Sequence, residues 1–155
     1  MASIDRANPT VMGHLLAQHR ELHDLLMESK AVFEEAGSQR PPAVAAAAAA
    51  ERVRQLRDYL ARHFKQEEQG GYLEDSLARM PRLSGAVRRV LAEHPALLAD
   101  LDGLLHRLSA RDSDGEAWRQ AGCDFEAFAS RLLAHERHEN EVLQEGYNED
   151  LELAD

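Results

Sequence analysis

Histidines and glutamates recur in this sequence at spacings that would bring metal-binding groups together inside a helical protein. The chain has 8 histidines, and two of them are each followed by a glutamate four residues later, His63 by Glu67 and His135 by Glu139. Side chains four residues apart are neighbours on one face of a helix. Imidazole and carboxylate both ligate divalent transition metals. Each pair can therefore give a histidine to one cation and a carboxylate that bridges to a second.

The apolar patterns of four segments indicate which candidates point inward. A helix turns about 100° per residue, so each candidate can be compared with the apolar stripe of its own segment. Those that fall on a stripe are His19 in the first segment, His63 and Glu67 in the second, His94 in the third, and His135 and Glu139 in the fourth. Burying so many ionisable groups is costly unless they have partners. Bound cations would resolve that cost, and the competing interpretation is a buried polar network without metal.

Other histidines and glutamates are less well placed. His23, one turn after His19, is predicted to lie slightly to the side but still on the core face, where it is either a seventh ligand or a half-buried neighbour of the site. The remaining candidates are predicted to be surface residues: His14, His106, His138, Glu68 and Glu136.

The segments that carry these residues are predicted to form four long helices. Ala, Leu, Glu and Arg dominate, strand signals are nearly absent, and Gly and Pro fall mostly between the periodic stretches. The predicted helices begin after Pro9, at Pro41–Pro42, at about Pro81 and near the S-x-x-E pattern of residues 113–116, and they end near Glu35, Gln69, Ala110 and Gly146. Short connections predict an all-α, up-down-up-down four-helix bundle.

Position along the helix axes is a second, independent test of the inward set. His19 and His63 lie a similar number of residues from the turn between the first two helices, and His94 and His135 do so from the turn between the last two. With a rise of about 1.5 Å per residue, the members of each pair can meet. Nothing in the apolar pattern requires this agreement.

Composition narrows the class of protein further. The 155 residues suit one domain, residues 1–155, with a bundle core over about 10–146 and an acidic tail over 147–155. A net charge of −10 argues against nucleic acid and anionic membranes as partners, because both require a basic face. Charges interrupt every apolar run, and the one cysteine, Cys123, rules out an internal disulfide. The sequence therefore predicts a cytoplasmic protein.

The segments around the inward residues resemble the hemerythrin-like, histidine–histidine–glutamate cation-binding domains. The matching stretches are Gln18-His19-Arg20-Glu21-Leu22, His63-Phe64-Lys65-Gln66-Glu67-Glu68, Glu93-His94 and His135-Glu136-Arg137-His138-Glu139. Each motif alone is weak, but their order and separation fit the family over about residues 10–145. The resemblance implies a hemerythrin-like bundle with two non-haem iron ions, or other divalent metals. It implies terminal ligands His19, His63, His94 and His135, and bridging carboxylates Glu67 and Glu139.

Two departures separate the chain from the oxygen-carrying hemerythrins. Those proteins have a second histidine where this chain has Leu98, and an aspartate where it has Asn140. The resemblance therefore favours a site that reacts with dioxygen, peroxide or nitric oxide over a simple reversible carrier. The alternative is a non-enzymatic iron sensor or iron-buffering module that uses the same ligands. A hydrolytic dinuclear enzyme is weaker because no extra acid–base groups are evident, and a ferritin-type site is disfavoured because that class uses E-x-x-H.

Overall fold

Four long helices make up most of the part of the chain that the structure describes, as its strong helix formers and its interrupting Gly and Pro residues predict. The computed structural model describes residues 9–36, 43–70, 73, 78, 80–109 and 115–154. The helices are α1 (Pro9–Ala36), α2 (Ala43–Gly70), α3 (Ser84–Leu108) and α4 (Gly115–Ala154), and a short 3-10 helix, Pro81–Leu83, leads into α3. No residue in these ranges lies in a β-strand. The all-α prediction is confirmed.

Polar contacts between the helices establish that all neighbours run antiparallel. Between α1 and α2, Glu28 pairs with Arg52 near one end and Gln18 bonds Gln66 near the other, so rising numbers on one helix meet falling numbers on its partner. The same order holds between α2 and α3, between α3 and α4, and between α4 and α1; the pairs are Arg57–Asp102, Glu68–His94, Asp100–Arg131, Arg107–Asp124, Lys30–Glu126 and His19–Glu139. The topology is therefore the predicted up-down-up-down bundle.

Two apolar clusters fill the bundle, and the histidine–glutamate residues lie between them along every helix. The larger cluster contains Phe33, Trp118, Phe125 and Phe128 among many leucines. The smaller one, at the other end, is built from Leu15, Leu73, Met80, Leu83, Val87, Val90, Val142 and Leu143. The polar residues therefore form a layer with a packed apolar layer on each side. None of the described helices is long and apolar enough to cross a membrane.

The structure differs from the sequence prediction at two places. The last helix does not stop near Gly146 but continues to Ala154 through most of the predicted tail. A single glycine costs a helix only about 1 kcal/mol, and the Leu, Glu and Ala residues beyond it favour helix. On α3 the buried face carries Leu97 and Leu104, while Leu98 and Leu105, which fit the apolar stripe of the sequence equally well, are only half buried. Because Leu97 and Leu98 are adjacent, as are Leu104 and Leu105, the sequence pattern alone does not decide which leucine of each pair is buried.

Candidate metal centre

Six buried side chains from the four helices meet in the polar layer. His19, His63, His94, His135, Glu67 and Glu139 are all buried. They form two overlapping groups, in each of which four ligand atoms lie within 4.8 Å of one another. One group contains His19 and His63, the other contains His94 and His135, and both contain Glu67 and Glu139. The six residues that the sequence placed on the inward faces are the six that the structure brings together.

The two glutamates each face both groups, one oxygen to each side. Oε1 of Glu139 lies 3.3 Å from Nε2 of His19, and its Oε2 lies 3.4 Å from Nε2 of His135. Glu67 repeats the arrangement, with Oε1 against Nε2 of His63 and Oε2 3.5 Å from Nε2 of His94. All four histidines thus direct Nε2 toward a carboxylate oxygen. Each carboxylate therefore offers one oxygen to each pair of histidines.

The inward-pointing atoms fit a cation better than they fit each other. Both oxygens of Glu67 and of Glu139 are buried without a hydrogen-bond partner among the described residues, as is Nε2 of three of the four histidines. Buried polar groups without partners are costly, and buried carboxylates in particular require a counter-charge. Imidazole nitrogens and carboxylate oxygens converging on shared points are a suitable donor set for divalent transition metals. The layer is therefore compatible with metal binding, as predicted.

The outer nitrogens of three histidines are held by polar residues that sequence analysis missed. Nδ1 of His94 lies 2.9 Å from Oε1 of Glu68, and Nδ1 of His135 lies 3.0 Å from Oε2 of Glu93. A carboxylate only accepts hydrogen bonds, so both Nδ1 atoms donate. When each ring is neutral, its lone pair is then on Nε2, the atom that points into the site. Glu68 is exposed, as predicted, but it also accepts a hydrogen bond from His94, because α3 lies beside it.

An amide performs the same task on the α1–α2 side. Nε2 of Gln18 donates to Oε1 of Gln66 over 2.9 Å, which leaves Oε1 of Gln18 to accept from Nδ1 of His63 over 2.8 Å. The hydroxyl of Tyr59 donates to Oε2 of Glu21 over 2.8 Å and lies 3.2 Å from the backbone carbonyl oxygen of Gln18. For His19, Nδ1 has no hydrogen-bond partner within the part of the chain that the structure describes. The four histidines are therefore supported unequally.

Electrostatic coupling between the ligands is strong before any metal binds. Burial lowers the pKa of His19 and of His135, but contacts with Glu139 outweigh it and raise both pKa values above the ordinary 6.5. Burial alone would raise the pKa of Glu139, yet the contacts with His135 and His19 hold it well below 4.5. Protons on the histidines thus serve as counter-charges for this carboxylate. A binding cation would displace them, so metal affinity should rise with pH.

The two sides of the layer also differ in packing and access. Phe64 stacks on His94 with ring centroids 3.8 Å apart and meets the edge of His135 at 5.4 Å. On the opposite side, His63 and Gln18 line a surface groove of about 350 Å³. A second groove of about 510 Å³ along α4 is lined in part by Glu136. Solvent therefore approaches the layer from the α1–α2 side and along α4.

Glu136 is not the solvated surface charge that the sequence predicted. Glu136 is half buried, and its Oε1 has no hydrogen-bond partner among the described residues. Burial raises the pKa of its carboxyl group. The charges that act on it include those of His19, Glu139 and His63, so its carboxyl group lies beside the ligand layer. Helical periodicity missed this position because α1 and α4 pack less extensively than the other neighbouring pairs and leave it next to a groove.

His23 does not lie on the core face, contrary to the sequence prediction. It is exposed and belongs to neither four-residue group. The buried face of α1 is centred on Leu22 and Leu26 rather than on His19, so a residue one turn after His19 is rotated away from the core. Leu16, on the same side of α1, is exposed as well. The seventh ligand is not supported by this placement.

The other predicted surface histidines agree with the structure where they are described. His106 and His138 are exposed, whereas the side chain of His14 lies outside the described residues. His138 adds a contact of 3.6 Å from Nδ1 to Glu93, behind His135. Cys123 is exposed and takes no part in either group.

Comparison with known proteins gives one match, which covers most of the chain. Residues 10–145 match the family model described as "Hemerythrin HHE cation binding domain". No curated protein and no solved structure gave a match. The matched span contains all six residues of the ligand layer, so the likeness covers both the bundle and the site.

Proposed function

Since the chain belongs to the hemerythrin HHE cation-binding domain family, we propose that it holds two iron ions in its polar layer and binds or reacts with dioxygen, peroxide or nitric oxide there. The observation that carries the proposal is the pair of overlapping ligand groups that share Glu67 and Glu139. Two carboxylates with one oxygen on each side are suited to hold two cations close together. Iron ions bound there would supply redox chemistry toward a small oxidant, and Glu67, Glu139 and the four histidines would hold them.

The donor set favours iron and leaves room for an external ligand. Each group offers four protein donors, two imidazoles and two carboxylates, and no thiolate. Mixed histidine–carboxylate sites with open positions are typical of non-haem iron that reacts with oxygen. A cation that prefers five or six donors would retain at least one position for a small molecule. The site therefore supports reactivity as well as storage.

The grooves beside the layer provide a route for small ligands. The groove at His63 and Gln18 is mainly polar in its lining, which also includes Tyr59, Arg62 and Gln66. Glu136, whose Oε1 points into the protein interior, lines the groove along α4. A diatomic molecule or a peroxide needs only a narrow passage, and both grooves reach residues that contact or neighbour the ligands. The wall formed by Phe64 limits access from the other side.

Metal analysis and spectroscopy of anaerobically purified protein test the proposal. We expect two irons per chain and ultraviolet–visible bands of a bridged ferric pair that change on reduction and on addition of oxygen, peroxide or nitric oxide. His63→Ala should lose metal, because it removes a ligand and leaves Glu67 without its neighbour, while His106→Ala should retain it. Full two-metal stoichiometry in the His63→Ala variant, or colourless zinc in protein from iron-replete cells, would contradict the proposal.

An iron-sensing or iron-buffering role is the second candidate, favoured by the unpartnered polar atoms of the layer. Because Glu67 and Glu139 have buried oxygens without hydrogen bonds, metal occupancy should change the stability of the bundle strongly. The two candidates share the site and differ in chemistry. A sensor would show metal-dependent stability but no spectral change or turnover with oxygen, peroxide or nitric oxide, whereas a reactive protein would show both.

A further inference from the structure

The two metal positions differ in the residues that support their histidines. The α1–α2 position is defined by His19 and His63, and the α3–α4 position by His94 and His135; both share Glu67 and Glu139. We propose that the α3–α4 position binds its metal more tightly and fills first, and that the α1–α2 position is the exchangeable one. The inference rests on the proposed two-metal function.

The first observation is the charge of the hydrogen-bond acceptors behind the rings. Both histidines of the α3–α4 position donate Nδ1–H to a carboxylate, His94 to Glu68 over 2.9 Å and His135 to Glu93 over 3.0 Å. At the α1–α2 position, His63 donates to the neutral amide oxygen of Gln18. Nδ1 of His19 has no acceptor among the described residues. The α3–α4 position thus has a carboxylate hydrogen-bonded to each of its two histidines, and the α1–α2 position has none among the described residues. The carboxyl group of Glu136 lies beside His19, but it accepts no hydrogen bond from that ring.

A carboxylate behind a histidine strengthens the bond from its other nitrogen to a metal. The negative charge makes the ring a better electron donor, and the hydrogen bond fixes the ring's tautomer and orientation. Removing such a partner from a metal site commonly weakens metal affinity 10- to 100-fold. A neutral amide fixes the orientation but adds no charge. The α3–α4 position therefore gains in both respects from Glu68 and Glu93, and the α1–α2 position gains only in orientation, at one of its two histidines.

Packing and solvent access point the same way. Phe64 stacks on His94 and contacts the edge of His135, so the rings of the α3–α4 position are held by an aromatic side chain and shielded from water. The α1–α2 position borders the groove of about 350 Å³ at His63. A shielded position with charged support retains its cation, while an accessible position with neutral support releases it. When metal is scarce, the protein should hold one ion at the α3–α4 position.

Stepwise metal titration of the metal-free full chain tests this order. With Co²⁺ as the probe, calorimetry of the wild-type protein should resolve a tight step and a weaker step. His19→Ala should abolish the weaker step and keep the tight one, while His135→Ala should abolish the tight one. The opposite pattern, or two steps of equal affinity in the wild type, would overturn the inference while leaving two-metal binding intact. Failure of the wild type to bind any Co²⁺ would overturn both.

A charge exchange at the supporting residues tests the cause. Glu68→Gln and Glu93→Gln should each weaken the tight step 10- to 100-fold and leave the weaker step nearly unchanged. Gln18→Glu should do the reverse, strengthening the weaker step, because it places a carboxylate behind His63. Glu141→Gln is the matched control, since it removes one negative charge from an exposed position of α4. Equal effects of Glu68→Gln and Glu141→Gln on the tight step would show that net charge, and not the hydrogen bond, sets the affinity.

Discussion

The larger apolar layer and the polar layer of this bundle lie next to each other, but they differ in whether their side chains find partners within the protein. In the apolar layer Phe33 stacks on Trp118 and Phe125, with ring centroids 5.1 and 5.0 Å from its own. These side chains pack against other apolar side chains of the protein. In the polar layer Glu67 and Glu139 have buried oxygens without hydrogen bonds among the described residues. One layer stabilises the fold by itself, and the other needs protons on its histidines, or bound cations, as counter-charges.

This difference explains how one small bundle combines a stable frame with a polar layer suited to cations. Apolar burial on both sides of the polar layer stabilises the fold, and this offsets the free-energy cost of placing six ionisable groups inside the protein. The two apolar clusters hold the helices so that the ligand atoms of each group lie within 4.8 Å of one another. Variants and conditions that act on one layer alone should therefore have separable effects on stability and metal content.

Metal removal should have the largest effect. A site that holds its ion with free metal at a thousandfold excess over the dissociation constant contributes about 4 kcal/mol to the free energy of unfolding. Two such ions would contribute about 8 kcal/mol, and for a chain of this size each kcal/mol lowers Tm by roughly 2–4 °C. Calorimetry with and without a chelator measures the change. An unaltered Tm after complete metal removal would show that the polar layer is satisfied without cations.

Phe125→Ala should have the next largest effect, confined to stability. Deleting a fully buried phenylalanine side chain costs about 3–5 kcal/mol through lost apolar burial and the cavity that remains. Metal stoichiometry per folded chain should not change, because Phe125 belongs to the apolar layer. Denaturant unfolding combined with metal analysis checks both halves, and Leu133→Ala at an exposed position of α4 is the control. Loss of metal from the folded Phe125→Ala variant would show that the layers are coupled.

The metal-free and metal-loaded proteins should respond to pH in opposite directions. Because the pKa values of His19 and His135 are raised, their ion pairs stabilise the metal-free fold below about pH 6.5, and this contribution is lost as pH rises through the raised values. The lowered pKa of Glu139 adds stability above about pH 4.5 that is lost on acidification. Each proton involved changes the free energy of unfolding by at most about 1.4 kcal/mol per pH unit.

The metal-free protein should therefore be most stable between about pH 4.5 and 6.5 and should lose stability above that range. The raised pKa of Glu136 lowers stability from about pH 4.5 upward, since burial opposes its ionisation in the folded protein. Metal binding requires unprotonated histidines, so the stabilisation by metal should grow over the same interval. Thermal unfolding at several pH values, with metal and with chelator, gives both curves. Parallel curves would mean that protons do not occupy the metal positions.

His23→Ala should have the smallest effect of all. An exposed side chain away from the ligand layer contributes little, and substitutions of this kind usually change stability by less than about 0.5 kcal/mol. Metal content should also stay the same, whereas His19→Ala, one turn earlier, should lose metal from the α1–α2 position. Metal analysis of the two variants side by side makes the comparison. A loss of one metal from His23→Ala would restore it as a ligand.

Much of the ligand layer was predictable because its residues interrupt apolar stripes. His63 and Glu67 continue the stripe of α2, and His135 and Glu139 continue that of α4, so helical periodicity alone placed them inside. The equivalent positions along the axes followed from the rise per residue and the short connections. The prediction for His23 was wrong because it took His19 as the centre of the buried face of α1. Leucines on α1 place that centre elsewhere, so His23 is rotated out of the core.

Helical periodicity could not identify the residues that hydrogen-bond Nδ1 of the histidines, because each lies on one helix and its histidine lies on another. Glu68, Glu93 and Gln18 each adjoin a ligand in sequence yet serve a histidine on a neighbouring helix. On their own helices these residues fall outside the apolar stripe, where periodicity predicts only solvent. A possible signal is a polar residue directly beside an inward ligand, but that signal is common on helix surfaces.

The amino-acid sequence by itself determined the four helices and the six buried histidine and glutamate residues, since these depend on local propensity and on a period of 3.6 residues. Only the tertiary structure decided which oxygen of Glu67 and Glu139 faces which histidine, which residues accept hydrogen bonds from Nδ1, and where grooves reach the layer. Those features depend on how helices approach each other through packing of side chains distant in sequence. The inequality of the two metal positions arises at that level.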